Sequence, residues 1–120
     1  MIFAVFILAR NNMGEIALVT RDNNKIGLPG GKVDRDENIC QTALRESKEE
    51  GWNLKLIDNK PFHTQIIDGK ICAWIKGEII GKFLDYKEKS RGIKPFYGNI
   101  GQLATSGFNN EVALHKYFHT

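Results

Sequence analysis

Cysteine is scarce in this chain: Cys40 and Cys72 are the only two, far apart and without the paired spacing of a zinc site, and two alone make no disulfide framework. That usage fits a reducing, cytoplasmic setting. No apolar run approaches the roughly 18 residues of a membrane span, which argues against a helical membrane protein and gives no reason to expect a membrane partner. Met1 to Ala9 is apolar, but it lacks a basic leader and runs directly into Arg10-Asn11-Asn12, so it reads as a strand and not a signal peptide. Strong charge of one sign is missing too. The formal net charge of +3 agrees with an anionic small-molecule partner and falls well short of the concentrated basic surface of a dedicated nucleic-acid binder. His63, His115 and His119 have no metal-ligand spacing, and repeats and low-complexity tracts are absent. With 120 residues, the chain suffices for one domain, 1–120, with a real core, and is too short for two of ordinary size.

What is present reads as alternating strand and helix signals. Ile2 to Leu8 is continuously apolar and rich in β-branched and aromatic residues, which predicts a strand covered on both faces. Asn11-Asn12-Met13-Gly14 ends it, and Glu15 to Thr20 followed by Asp22-Asn23-Asn24 completes an N-terminal hairpin. Ile26-Gly27-Leu28 is a short extended lead into Pro29-Gly30-Gly31. Residues 37 to 51 form the best helix, free of Pro and Gly until Gly51 closes it. Three strand-like runs follow, Leu54 to Ile57, Phe62 to Ile67 and Lys70 to Ile80, the last two joined by Asp68-Gly69. Glycines, charges and Pro95 predict irregular structure over 82–107, with a helical turn around Ile100 to Ala104 and room for a lid over a site. Asn109 to Phe118 reads as a second helix, with Asn109 or Asn110 as N-cap.

On the helix at 37–51, Cys40, Ala43, Leu44 and Ser47 fall on one arc suited to close packing on a sheet. Glu46, Glu49 and Glu50 lie beside that arc within about 100° of circumference, and Arg45 and Lys48 point elsewhere. Glu46/Glu50 and Glu46/Glu49 are like-charge neighbours near the helix C-terminus, where the macrodipole disfavours negative charge, so each costs a few tenths of a kcal/mol. Hard cations such as Mg²⁺ or Mn²⁺ would relieve that repulsion. A merely solvated acidic face accounts for the geometry equally well.

The flanking sequence separates the two readings. Gly31, five residues, Glu37, seven residues, then Arg45-Glu46-Ser47-Lys48-Glu49-Glu50, preceded by Leu28-Pro29-Gly30, closely resembles the signature of the MutT-like Nudix hydrolases. The likeness is strong over residues 28 to 54. It implies an α/β fold, the Nudix-type α/β/α sandwich with a mixed sheet between helices. Three positions depart from the pattern: Ser47 stands where an aliphatic residue is usual, Gly51 precedes the usual site of the closing glycine, now Trp52, and Ile26-Gly27 replaces the aromatic residue often found before Leu-Pro-Gly-Gly.

The resemblance implies that Glu46, Glu49, Glu50 and the Gly31 carbonyl hold Mg²⁺, with Mn²⁺ as an alternative. Water then attacks a phosphorus of a diphosphate linkage, and Glu46 is the expected proton acceptor. In this family the base also comes from later loops, where Glu78, Glu88 and Glu111 are candidates. Arg45 and Glu37 look like the orienting pair that braces the helix. Lys32 and Arg21 are placed to meet substrate phosphates, with an ordinary surface charge as the competing account of Arg21. Phe96, Tyr97, Asn99, Phe108, Asn109 and Asn110 offer stacking and polar groups for a base; Trp74 reads as core. The expected substrate is a nucleoside triphosphate or another nucleoside diphosphate derivative. Competing readings are a hydrolase of dinucleoside polyphosphates, nucleotide sugars or RNA 5′ ends, a non-catalytic nucleotide-binding module, and a plain interaction domain. Only the run Lys82, Lys87, Lys89, Arg91, Lys94 speaks for RNA.

Overall fold

The structure, a computed structural model, describes residues 1–21, 24–86, 92–104 and 110–119. Strand β1 (Ile2–Arg10) is the spine. Strand β2 (Ile16–Thr20) forms the expected hairpin with it, Arg10 opposite Ile16, and pairs in turn with β3 (Ile26–Gly27). Strand β4 (Gly30–Lys32) returns antiparallel along the first half of β1. On the other side β1 runs parallel to β7 (Lys70–Ile79), which also carries β5 (Leu54–Leu56) and β6 (His63–Ile67) antiparallel to it. Parallel and antiparallel pairs therefore share one mixed sheet.

Both faces of β1 are covered. Val5, Ile7 and Ala9 pack with Trp52 and with Ala43 of helix α1 (Ile39–Glu49). Ala4 and Leu8 pack on the opposite face with Leu103 of α2 (Ile100–Ala104) and Ala113 and Leu114 of α3 (Asn110–Phe118). Helices on both faces make the α/β/α sandwich. They also explain why β1 reads as unbroken apolar sequence instead of alternating.

The alternation slips once. Ile2 pairs with Ile71 and Ala4 with Cys72, so β1 has one residue more than β7 at Phe3, a β-bulge. Phe3 and Ala4 consequently face the same side of the sheet. Bulges re-aim side chains in this way.

Three features differ from the sequence reading. Helix α1 starts at Ile39 and not at residue 37, because Asn38 accepts from the Gln41 amide while the Gln41 side chain accepts from the Asn38 amide, a capping box. Residues 82–107 are not wholly irregular: Lys94–Gly98 form β8, paired along β2 with Pro95 opposite Val19. Proline cannot donate to a ladder, and an edge strand such as β8 tolerates it. The buried side of α1 is Thr42, Ala43 and Ser47, with Leu44 only half-buried. The helical turn at Ile100–Ala104 is present as expected. Asp22, Asn23, Lys87, Glu88, Lys89, Arg91, Phe108 and Asn109, which carried expectations for turns, lid, base recognition and capping, lie outside the described residues. No described helix is long and apolar enough to cross a membrane.

Candidate active site

The site is built around the turn into β4. The Ile7 amide donates to the Pro29 carbonyl and the Val33 amide to the Phe3 carbonyl, which fixes the glycines against β1. Gly30 has φ +148, and a Cβ there would strike the Val5 carbonyl and lie 2.8 Å from Phe6 Cα, so only glycine fits. At Gly31 a Cβ would fall 2.6 to 2.9 Å from the carboxylate atoms of Glu46. The turn is thus a backbone cradle with a glutamate resting in it.

The glutamates reach the turn because α1 ends beside it. The Trp52 amide donates to the Ser47 carbonyl and the Gly51 amide to Lys48, with Gly51 at φ +96, a Schellman closure. This accounts for the early glycine: residue 51 occupies the left-handed position after the C-cap, Glu50. Trp52 then turns inward, fully buried, its indole N–H donating to the Leu18 carbonyl at 2.9 Å. Ser47 is buried as well, and its hydroxyl donates to the Leu44 carbonyl, so a polar residue is satisfied where an aliphatic one is usual.

Glu50 is 2 % exposed. Its Oε1 accepts from the Gly30 amide at 2.9 Å and its Oε2 from Arg21 Nη1 at 2.8 Å. Burial pushes its pKa up to about 7, against the opposing pull of Arg21 and the Gly30 amide. Arg21, read from the sequence as a phosphate contact or an ordinary surface charge, places its Nη1 on Glu50 and its Nη2 on the Leu28 carbonyl at 2.8 Å.

Arg45 corrects one inference from helix geometry. Its side chain does not point away from the acidic ridge but folds over it. Nε donates to Glu37 at 2.9 Å, and Nη1 lies 3.2 Å from both Glu46 and Glu49. Nη2 adds Asp34 at 3.3 Å, a partner that no motif points to. Glu37, in the turn before α1, also accepts from the buried Thr42 hydroxyl. The Arg45 hydrogen bond holds the Glu37 carboxyl below the usual range, while the surrounding carboxylates raise the guanidinium further.

Beside the cradle lies a groove of about 310 Å³, lined by Phe3, Gly31, Lys32, Ile67, Asp68 and Lys70 among others. The Lys70 ammonium is 4.3 Å from the centre of the Phe3 ring and that of Lys32 5.3 Å. Lys32, read from the sequence as a phosphate contact, borders the same groove. Neither Phe3 nor Lys70 is named in the sequence reading, since only the bulge and the β1–β7 register bring them there.

The remaining candidates are elsewhere. Glu78 pairs in register with Arg10, five residues along β1 from the Val5–Gly31 pair, about 17 Å away, and sits 3.5 Å from Lys55. Glu111 is exposed at the start of α3. Asn99 exchanges hydrogen bonds with Gln102 at the start of α2, Phe96 packs into the core, and Tyr97 lies edge-on to Trp52. Trp74 is fully buried, as expected.

Among the described residues no three acidic, histidine or cysteine side chains are gathered as an ion site in the arrangement seen. Glu46 and Glu49 turn to Arg45, and Glu50 to Arg21. The donors nonetheless suit a hard divalent cation: all are oxygens, Glu46 lies against Gly31 and Glu50 against Gly30, and Arg45 holds Glu49 beside Glu46.

A family model, the NUDIX domain, matches residues 2–75. No curated protein matches the sequence significantly. Solved structures resemble the fold over nearly the whole chain. One is a MutT from work on Aliivibrio salmonicida and Vibrio cholerae, 21% identical, TM-score 0.67, covering 99% of this chain and 98% of that one. A NUDIX hydrolase from Nitrosomonas europaea is 15% identical at TM-score 0.77, covering 99% and 90%. An Ap4A hydrolase from C. elegans is 15% identical at TM-score 0.73, covering 97% and 94%.

Proposed function

Because the chain belongs to the Nudix hydrolase family, we propose that it is a single-domain, cytoplasmic enzyme that uses Mg²⁺ to cleave the diphosphate linkage of a nucleoside triphosphate or related nucleoside diphosphate derivative. The observation that carries this is the meeting of Glu46 and Glu50 with the Gly30–Gly31 turn beside a groove holding an aromatic ring and two lysines.

Glu46, Glu49 and Glu50, with the Gly31 carbonyl, would hold the ion, which supplies neutralisation of phosphate charge. Lys32 and Lys70 present ammonium groups to the phosphates or to the polar edge of the base, and Phe3 gives an apolar wall. Glu46 accepts a proton from the attacking water. The new O–P bond replaces the bridging P–O bond, and the released phosphate group carries away the bridging oxygen. Arg45 keeps Glu46 and Glu49 from splaying, and Glu37 holds Arg45 in turn.

The test is a Mg²⁺-dependent hydrolysis screen over nucleoside triphosphates, nucleotide sugars, dinucleoside polyphosphates and triphosphorylated RNA, with Glu50→Gln as control. Cleavage that falls by at least about 100-fold in the variant supports the reading. A folded protein that binds Mg²⁺ and nucleotide but turns nothing over sinks it and leaves a binding module. Steep loss of activity with added salt on RNA alone would transfer the assignment to RNA 5′ ends.

A further inference from the structure

We propose that Arg21 is a positioning residue of this site, a clamp that ties the buried Glu50 carboxylate to the Leu28–Gly31 turn. The inference rests on the proposed metal-dependent reading, and it gives Arg21 a role other than meeting phosphates.

Arg21 follows β2 and is separated from Glu50 by 29 residues of sequence, yet its two terminal nitrogens bind two parts of the site at once. Nη1 donates to Glu50 Oε2 and Nη2 to the Leu28 carbonyl, each at 2.8 Å. Glu50 Oε1 closes the ring by accepting from the Gly30 amide. Helix end and turn, which reach this point from different elements, are thereby held by one planar, forked group. Arginine suits this and lysine does not, because a single ammonium cannot reproduce two divergent donors in fixed geometry. The path of the side chain explains a departure from the family pattern. In the Ile26-Gly27 pair that stands in place of the usual aromatic residue, a Cβ at Gly27 would sit 3.2 Å from Arg21 Nε, so the absence of a side chain there gives the guanidinium its channel.

The clamp does not exhaust the carboxylate. An ionised carboxylate offers about four lone-pair sites, and Arg21 and Gly30 take one on each oxygen. Glu50 can be held and still ligate. Partners that orient a ligand from outside its coordination sphere typically matter about 10- to 100-fold for metal affinity.

The experiment compares Mn²⁺ binding, read as free-ion signal by electron paramagnetic resonance, in the wild-type protein, Arg21→Met, Arg21→Lys and Gly27→Val. The last leaves Arg21 in place and fills its channel. Unfolding in EDTA checks that each variant folds, and kcat and KM are measured at saturating Mg²⁺. The expected result is Mn²⁺ affinity at least about tenfold weaker in Arg21→Met and in Gly27→Val, partial rescue in Arg21→Lys, and loss in kcat with KM little changed. Unchanged or tighter Mn²⁺ binding in Arg21→Met, or a rise in KM alone, overturns the clamp and makes Arg21 a phosphate contact. If Arg21→Met does not fold, the lysine and Gly27 variants decide by the same criteria. Failure of the wild-type protein itself to bind Mn²⁺ would strike the metal-dependent reading instead.

Discussion

The two carboxylates that flank helix α1 respond to their surroundings in opposite directions, Glu50 upwards and Glu37 downwards. Glu50 is buried, and its pKa of about 7 lies above the ordinary 4.5, so between those values the folded protein binds a proton that the unfolded chain does not. Its contribution therefore makes stability rise as pH falls from about 7 towards 4.5. Urea midpoints in EDTA across that window should flatten in Glu50→Gln; an unchanged slope would show that Glu50 does not titrate there. Glu37 runs the other way: Arg45 lowers its pKa, so its contribution is present above the ordinary carboxylate value and is lost as pH falls through the lowered one. At Gly31 a methyl group meets the Glu46 carboxylate while the backbone stays ordinary. Gly31→Ala should fold like the parent and lose on the order of 100-fold in kcat, since displacements near 1 Å at reacting groups cost about that much. Retention of full turnover would remove Glu46 from the cradle.

The elements explain which parts of this were readable beforehand. Helix α1 closes at Gly51 with φ +96, and a Cβ there would lie 2.8 Å from Pro95 Cγ and 2.9 Å from Tyr86 Cδ1. Gly51→Ala should therefore cost about 1–2 kcal/mol or more in denaturant unfolding, and Asn38→Ala at the other end about 1 kcal/mol. A melting point unmoved by Gly51→Ala would mean that the closure carries no strain. Strands β1, β2 and β5 to β7 and all three helices were legible from apolar runs, turn residues and capping residues. Fixed spacing made Gly31, Glu37, Arg45 and the helix glutamates legible too. Strand β8 was not, since Pro95 normally argues against a strand and only edge pairing with β2 admits it. The reach of Arg45 over the ridge was hidden because helix geometry fixes Cβ directions, whereas a long side chain can bend back across them. Phe3 and Lys70 were hidden for a third reason: their meeting depends on a bulge and on pairing between strands nearly 70 residues apart, and no local pattern encodes that.

Across the molecule, stability should be graded from the spine outwards. Strand β1 is flanked on both edges and covered on both faces, so amide exchange ought to be slowest in β1 and the middle of β7, and fast in the short β3 and the half-exposed β6. Equal protection throughout would mean that the sheet opens only as a whole. The parallel pairing of β1 with β7 also sets an order in time. As the chain leaves the ribosome, every residue assigned to metal or proton transfer has been made by position 50, yet β1, against which the glycine turn packs, lacks its parallel neighbour β7 until residues 71 to 78 emerge. The early segment, with eight acidic and seven basic residues by position 50, is thus a nearly neutral peptide during synthesis, and it acquires the shape of a site only when its late partner arrives.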